Sequence, residues 1–268
     1  MSFPLRPTVA EIDLNALKHN YLQVKQLAGK RAKILAVVKA DAYGHGAIVI
    51  SRELERLKVD FLGVALLEEA VELRETGIKT PIVILGGIYS GQAGETIKHR
   101  FIPAIFDLSI ARELNHAAQK QKKKVKVHVK IDTGMGRLGI LPEETSLFFT
   151  TLKKFPYLQV EGIISHLSVA SQEEEGDAEF TREQFKRFND VIHSCHQAGM
   201  NPPFLHLANS ASIIRGNFNS FALVRPGIML YGALPSPILK KAVNLKPVMS
   251  LKSRILQLKK LPEGHSVS

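Results

Sequence analysis

At 268 residues, with 45% apolar and 23% charged positions, the chain has the composition of a globular protein large enough for one big domain or two smaller ones. Its net charge of +11 does not mark a nucleic-acid binder: the basic residues are spread along the chain, and no zinc-finger, RNP or helix-turn-helix pattern accompanies them. No stretch approaches the roughly 18 apolar residues of a membrane span, and the opening MSFPLRP lacks the apolar core of a signal peptide, so a cytoplasmic protein with no membrane partner is expected.

In chain order, TVAEIDL at 8–14 is expected as a strand standing apart from the main sheet. Then ILAVV at 34–38, FLGVAL at 61–66, PIVIL at 81–85 and FIPAIF at 101–106 follow one another. VKVHVKI at 125–131, VEGIIS at 160–165, PFLHL at 203–207 and ALVRPGIML at 222–230 complete the series. Short apolar runs rich in β-branched residues suit parallel strands buried on both faces. Between them, 68–77 and 178–199 have helical spacing and end on glycine, and the basic run KQKKK at 120–124 fits a solvated helix end. Eight strands alternating with helices predict an α/β chain folded as a (β/α)8 TIM-type barrel, with a doubly wound open sheet as the rival. MSLKSRILQL at 249–258 is expected as an unpartnered strand after the barrel, followed by the turn-like PEGHSVS at 262–268. Cys195, the only cysteine, falls in a helical segment and is expected to pack rather than react.

Polar residues at the C-terminal ends of barrel strands are where chemistry is expected. Lys39 ends the first strand, and a lysine there is costly unless it is paired or used, for instance as a Schiff-base lysine. Strand five ends in KIDTGMGR at 130–137, strand six in Ser165 and His166, strand seven in HLANS at 206–210, and strand eight carries Arg225. Ser210 with the backbone amides of Gly227 and Ile228 can hold a phosphate at the corner of strands seven and eight, with Asn209 and Arg225 beside it. Each residue also has a plainer reading. Lys39 alone could be a surface lysine, His166 or His206 a structural histidine, and Asp41 a cap. Asp132 stays open between a loop role and a catalytic one. His45 and Gly46 are expected to start a helix, and no spacing suggests a metal site.

With these residues assembled, the sequence resembles the alanine racemase family. AVVKADAYGHG at 36–46 is similar to that family's cofactor-lysine signature, and 130–139, 206–210 and 224–232 match in the same order. The resemblance implies a barrel of fold type III binding pyridoxal phosphate (PLP), a homodimer acting on alanine, and D-alanine supply for peptidoglycan. It implies Lys39 as the Schiff-base lysine and as the base on the D-alanine face. Arg225 would address the pyridine nitrogen with His166 behind it, and Arg137 the cofactor's phenolic oxygen and the substrate carboxylate. Tyr43, Ser210, Gly227 and Ile228 would take the phosphate, with Asn209 adjoining. In some members the lysine matching Lys130 is carbamylated. The expected layout is an outer strand over 1–14, the PLP-binding barrel over 15–235, and over 236–268 a linker with the first strand of a C-terminal β domain. The family's second base is a tyrosine of that domain, delivered across the dimer interface. None of the five tyrosines here (Tyr21, Tyr43, Tyr89, Tyr157, Tyr231) has that context, so the chain is expected to hold PLP yet racemise slowly. The alternatives are a stand-alone PLP-binding barrel, a racemase of another amino acid such as serine, and an interaction module without chemistry.

Overall fold

The computed structural model describes residues 6–172, 176–216 and 221–267. Among them, β2 (Lys33–Val37), β3 (Phe61–Val64), β4 (Ile82–Ile84), β5 (Ile102–Ile105), β6 (Val125–Lys130), β7 (Leu158–Ile164), β8 (Phe204–His206) and β9 (Leu223–Val224) form one eight-stranded sheet. Its order is β8-β7-β6-β5-β4-β3-β2-β9 with every neighbour parallel, so successive strands lie side by side as a barrel requires. The two edge strands meet where the Arg225 amide donates to the Ala208 carbonyl at 3.0 Å. The expected barrel is therefore present, and the open doubly wound sheet is excluded.

Two layers of apolar packing hold it. Outward-facing strand residues such as Ala36, Leu62 and Val129 pack under the helices in a large buried cluster. Leu35, Val37, Phe61, Val83, Ile102 and Leu223 fill the lumen as a second one. Some helices begin where a side chain accepts first-turn amides: Asp13 takes those of Asn15 and Ala16 (2.8 and 3.1 Å), opening Leu14–Ala28. Asp107 does the same for Leu108–Lys120, whose basic end is solvated as expected. Leu67–Glu75 and Asp177–Gln197 occupy the two helical segments read from the sequence. Cys195 is fully buried in the latter, and burial pushes its thiol up to about 12, which keeps it inert.

Two segments differ from expectation. The run 222–230 is a strand only over Leu223–Val224, and Ile228–Tyr231 turns into a 3-10 helix. Pro226 has no amide to give a ladder, although its carbonyl still accepts from Val37 at 3.0 Å. The run 249–258 is a strand, β10, only over Met249–Lys252, and it has a partner: it pairs antiparallel with β1 (Val9–Ile12). Both strands of that ribbon are mostly exposed.

The loop after β6 returns on itself, with Ile131 bridging Ile140. Gly139 (φ +133°) makes the return, and a Cβ there would lie 2.4 Å from the Asp132 nitrogen and 2.5 Å from the Ile131 carbonyl carbon. Gly139→Ala should cost roughly 2–3 kcal/mol through strain that no side chain can relieve. The check is the urea midpoint at constant m-value, and an unchanged midpoint would sink this account of the loop.

Candidate functional site

Strand ends converge on one cavity of about 500 Å³ at the C-terminal mouth of the barrel. Lys39, Tyr43, Arg137, His166, Asn209, Ser210, Arg225, Gly227 and Ile228 all line it, together with Lys130, Leu85 and Gly86. Residues far apart in the sequence thus share one space.

Lys39 and Tyr43 reach it through an unusual backbone. Ala40, Asp41, Ala42 and Tyr43 have φ between +51° and +55°, a full turn of left-handed helix without a glycine. Each such residue costs roughly 1–2 kcal/mol, so neighbouring contacts must hold the turn. Asp41 Oδ1 accepts the Ala47 amide at 2.6 Å and so caps the helix Ala47–Arg56, the plain role expected for it. Gly46, at the N-cap, starts that helix, whereas His45 ends the preceding turn. Tyr231, buried and with its hydroxyl donated to the Val37 carbonyl at 2.9 Å, packs its ring 5.2 Å from that of Tyr43. The Tyr43 hydroxyl in turn lies against Gly227, where a Cβ would meet it at 2.9 Å. Gly227 is thus a glycine because Tyr43 fills the place of a side chain.

Arg225 is 4% exposed and has no carboxylate partner among the described residues. Nη1 donates to the His206 carbonyl at 2.6 Å, and Nη2 to the carbonyls of Ser165 (2.6 Å) and Leu207 (3.3 Å). Burial lowers its pKa to about 9, which still leaves it charged near neutral pH. His166 Nδ1 lies 3.4 Å from Nη2. Burial first, and then the Arg225, Arg137, Lys130 and Lys39 charges, push the His166 pKa down to about 3, so the ring is neutral and can accept that N–H. Arg225 Nε has no hydrogen-bond partner among the described residues. His206, by contrast, is fully buried and does not line the cavity. Neither of its ring nitrogens has a hydrogen-bond partner among the described residues, so it is not the hydrogen-bonded structural histidine of the plainer reading; its ring packs 4.8 Å from that of His128.

Arg137 projects from a loop organised by Asp132. Asp132 Oδ1 accepts the amides of Gly134, Met135 and Gly136 (2.9, 2.8 and 3.1 Å), and Oδ2 that of Arg137 (2.8 Å). Burial alone would raise this carboxyl, yet the four amides outweigh it and hold it below the usual carboxylate range. Asp132 is therefore the loop's organiser. Asn209 is likewise committed: it caps Ser210–Arg215 by accepting the Ser212 amide at 3.2 Å and donates to the Leu167 carbonyl at 3.2 Å. The Gly227 amide donates to Ser210 Oγ at 3.0 Å, which binds the two sides of the strand-eight corner together.

Sequence reasoning missed Tyr231 and Gln184. Gln184 is fully buried on the helix Asp177–Gln197; it donates to the His166 carbonyl (3.1 Å) and Thr133 Oγ (3.4 Å) and accepts from the Ser168 amide (3.0 Å). Only its position on the apolar face of that helix hinted at a role.

The comparisons with known proteins agree in one direction. The family model described as "Alanine racemase, N-terminal domain" matches residues 12–235. A protein of Geobacter sulfurreducens named alanine racemase is 46% identical over 263 residues, covering 98% of this chain and 69% of its own length. Alanine racemase 1 of Caldanaerobacter subterraneus is 40% identical, covering 97% of this chain and 66% of its own length. Among solved structures, the alanine racemase of Clostridium difficile in complex with cycloserine superposes with a TM-score of 0.90 at 37% identity, over 96% of this chain and 71% of that one. The enzyme from the D-cycloserine producer Streptomyces lavendulae gives 0.91 at 31% identity, over 100% of this chain and 70% of that one.

Lys130 carries a testable consequence. Its Nζ donates to the Leu85 carbonyl at 2.8 Å, and burial, followed by the Arg137, Arg225 and Lys39 charges, lowers its pKa from 10.5 to about 8. Between pH 8 and 10.5 the unfolded chain therefore holds more protons than the folded one, and stability rises with pH. The rise should approach roughly 3 kcal/mol, and Lys130→Met should flatten it. Urea titrations of the ligand-free chain at a series of pH values measure this; equal slopes in both proteins would contradict it.

Proposed function

Since this chain belongs to the alanine racemase family, it is an isomerase that interconverts L- and D-alanine, and we propose that it does so with pyridoxal phosphate held by Lys39. The observation that carries the cofactor assignment is the convergence of two amines, two guanidinium groups and a hydroxyl-lined corner on a single cavity.

The residues present fit that group. Lys39, half-buried at the end of β2, offers an amine for the aldehyde. Arg225 Nε–H has no acceptor among the described residues, and a guanidinium keeps its proton, so it can only donate to the ring nitrogen. Tyr43, Ser210 and the backbone of Gly227 and Ile228 would take the phosphate. Lys39, Lys130, Arg137 and Arg225 give the cavity a positive field suited to a phosphate dianion and a substrate carboxylate.

Bound in this way, PLP supplies an electron sink that acidifies the amino acid's Cα–H. The chain's own groups decide where the proton goes. Lys39 Nζ removes or returns the Cα proton on the D-alanine face, and Arg137 orients the carboxylate. Arg225, unable to surrender a proton, would only donate to a bound ring nitrogen, which would keep the sink weak and favour return of the proton to Cα over its loss elsewhere. Neutral His166 supports Arg225 without adding charge. Racemisation also needs a proton donor on the opposite face. Tyr43 is not that group, because its hydroxyl sits against Gly227 in the phosphate corner. We assign that face to a tyrosine brought by the partner subunit of the homodimer that the family resemblance implies.

Borohydride reduction in the presence of PLP, followed by peptide mass mapping, should place the pyridoxyl group on Lys39. A label on Lys130 instead would overturn the assignment. Arg225→Glu should cut racemisation by about 10²–10³ while raising the share of turnovers lost to transamination. Unchanged partition between the two reactions would mean that Arg225 does not meet the ring nitrogen.

A further inference from the structure

The left-handed turn after Lys39 needs something to hold its first residue, because Ala40 is exposed and gains no packing there. Its amide is taken by a carboxylate 29 residues away. Glu69 Oε1 accepts from the Ala40 amide at 2.6 Å, while Oε2 accepts from the amides of Ala65 (2.6 Å) and Leu66 (3.1 Å). Glu69 is the third residue of the helix Leu67–Glu75, so its bond to Leu66 is an ordinary capping-box contact. The bond to Ala40 is not. A capping box uses one oxygen, and here the second is turned across to the adjacent strand end.

We propose that Glu69 is a positioning residue for Lys39: its carboxylate clamps the Ala40 amide and fixes the left-handed turn that sets Lys39 and Tyr43 into the same cavity. The clamp ties the end of β2 to the end of β3 through charge-assisted bonds on both oxygens, which are stronger than neutral ones. Without it, Ala40 would relax toward negative φ, its favoured region, and Lys39 would leave from a different direction. This inference rests on Lys39 being the cofactor lysine.

Glu69→Gln separates the clamp from the cap. Glutamine serves a capping box as well as glutamate does, but one carbonyl oxygen cannot accept from Ala40 and from Ala65–Leu66 together. For the chain stripped of PLP and titrated with it, Glu69→Gln should raise the dissociation constant about tenfold and lower the fraction of borohydride label on Lys39. The thermal midpoint should move little. Adding Ala40→Gly, a residue at ease with positive φ, should recover most of the lost affinity. Wild-type affinity and labelling in Glu69→Gln, or no recovery in the double variant, would overturn the proposal. Should the variant fail to fold, amide exchange in the wild-type chain decides: the Ala40 amide, though exposed, should exchange slowly, and exchange at the solvent rate would overturn the clamp. A wild-type chain that takes up no PLP would sink the cofactor reading instead, and exchange at Ala40 would still test the clamp.

Discussion

A charged guanidinium buried at the seam of the barrel organises both the fold and the site. The backbone of Arg225 joins the two edge strands through Ala208, and its side chain ties the ends of β7 and β8 through three carbonyls. Leaving a charge unpaired in a protein interior costs several kcal/mol. Carbonyl dipoles offset part of that cost, and burial still lowers the pKa of Arg225. A carboxylate would have relieved the strain more fully. It would also have neutralised the charge that an anionic cofactor and substrate need.

The rest of the cavity adapts to a guanidinium with no carboxylate partner among the described residues. Lys39, Lys130, Arg137 and Arg225 share the space, and the groups between them adjust: His166 stays neutral, and Lys130 gives up part of its affinity for a proton. Asp132 is the nearby exception. Its charge is spent on four backbone amides of the Arg137 loop, so it shapes the loop while doing little to quench the field. A ligand carrying two or three negative charges completes such a site electrostatically, and by mass action its binding stabilises the folded chain.

Backbone strain is the second element. A left-handed turn of four residues with side chains persists only where its surroundings over-determine it. Here Asp41, Glu69 and the Tyr43–Tyr231 ring contact do so from three directions. What the strain provides is direction: Lys39 and Tyr43, four residues apart, both reach the same cavity.

The sequence by itself determined the barrel and most of the residues around its mouth. Strands buried on both faces favour apolar, β-branched runs, so β2 to β8 were legible from local pattern. Polar residues stood out because they converged on strand ends, although each alone had a plainer reading. The strand at 222–230 misled because hydrophobicity does not register the amide that Pro226 lacks. The unpartnered strand at 249–258 misled because pairing between segments about 240 residues apart leaves no local trace. Only the tertiary structure decided the handedness of the turn at Ala40–Tyr43, for no glycine announces it and the energy that permits it comes from Glu69 and Tyr231 elsewhere in the chain. For the same reason Glu69 and Gln184 looked like ordinary helix residues. Local pattern reveals what a residue contributes to its own element, whereas a hydrogen bond across elements exists only once the fold has brought donor and acceptor together.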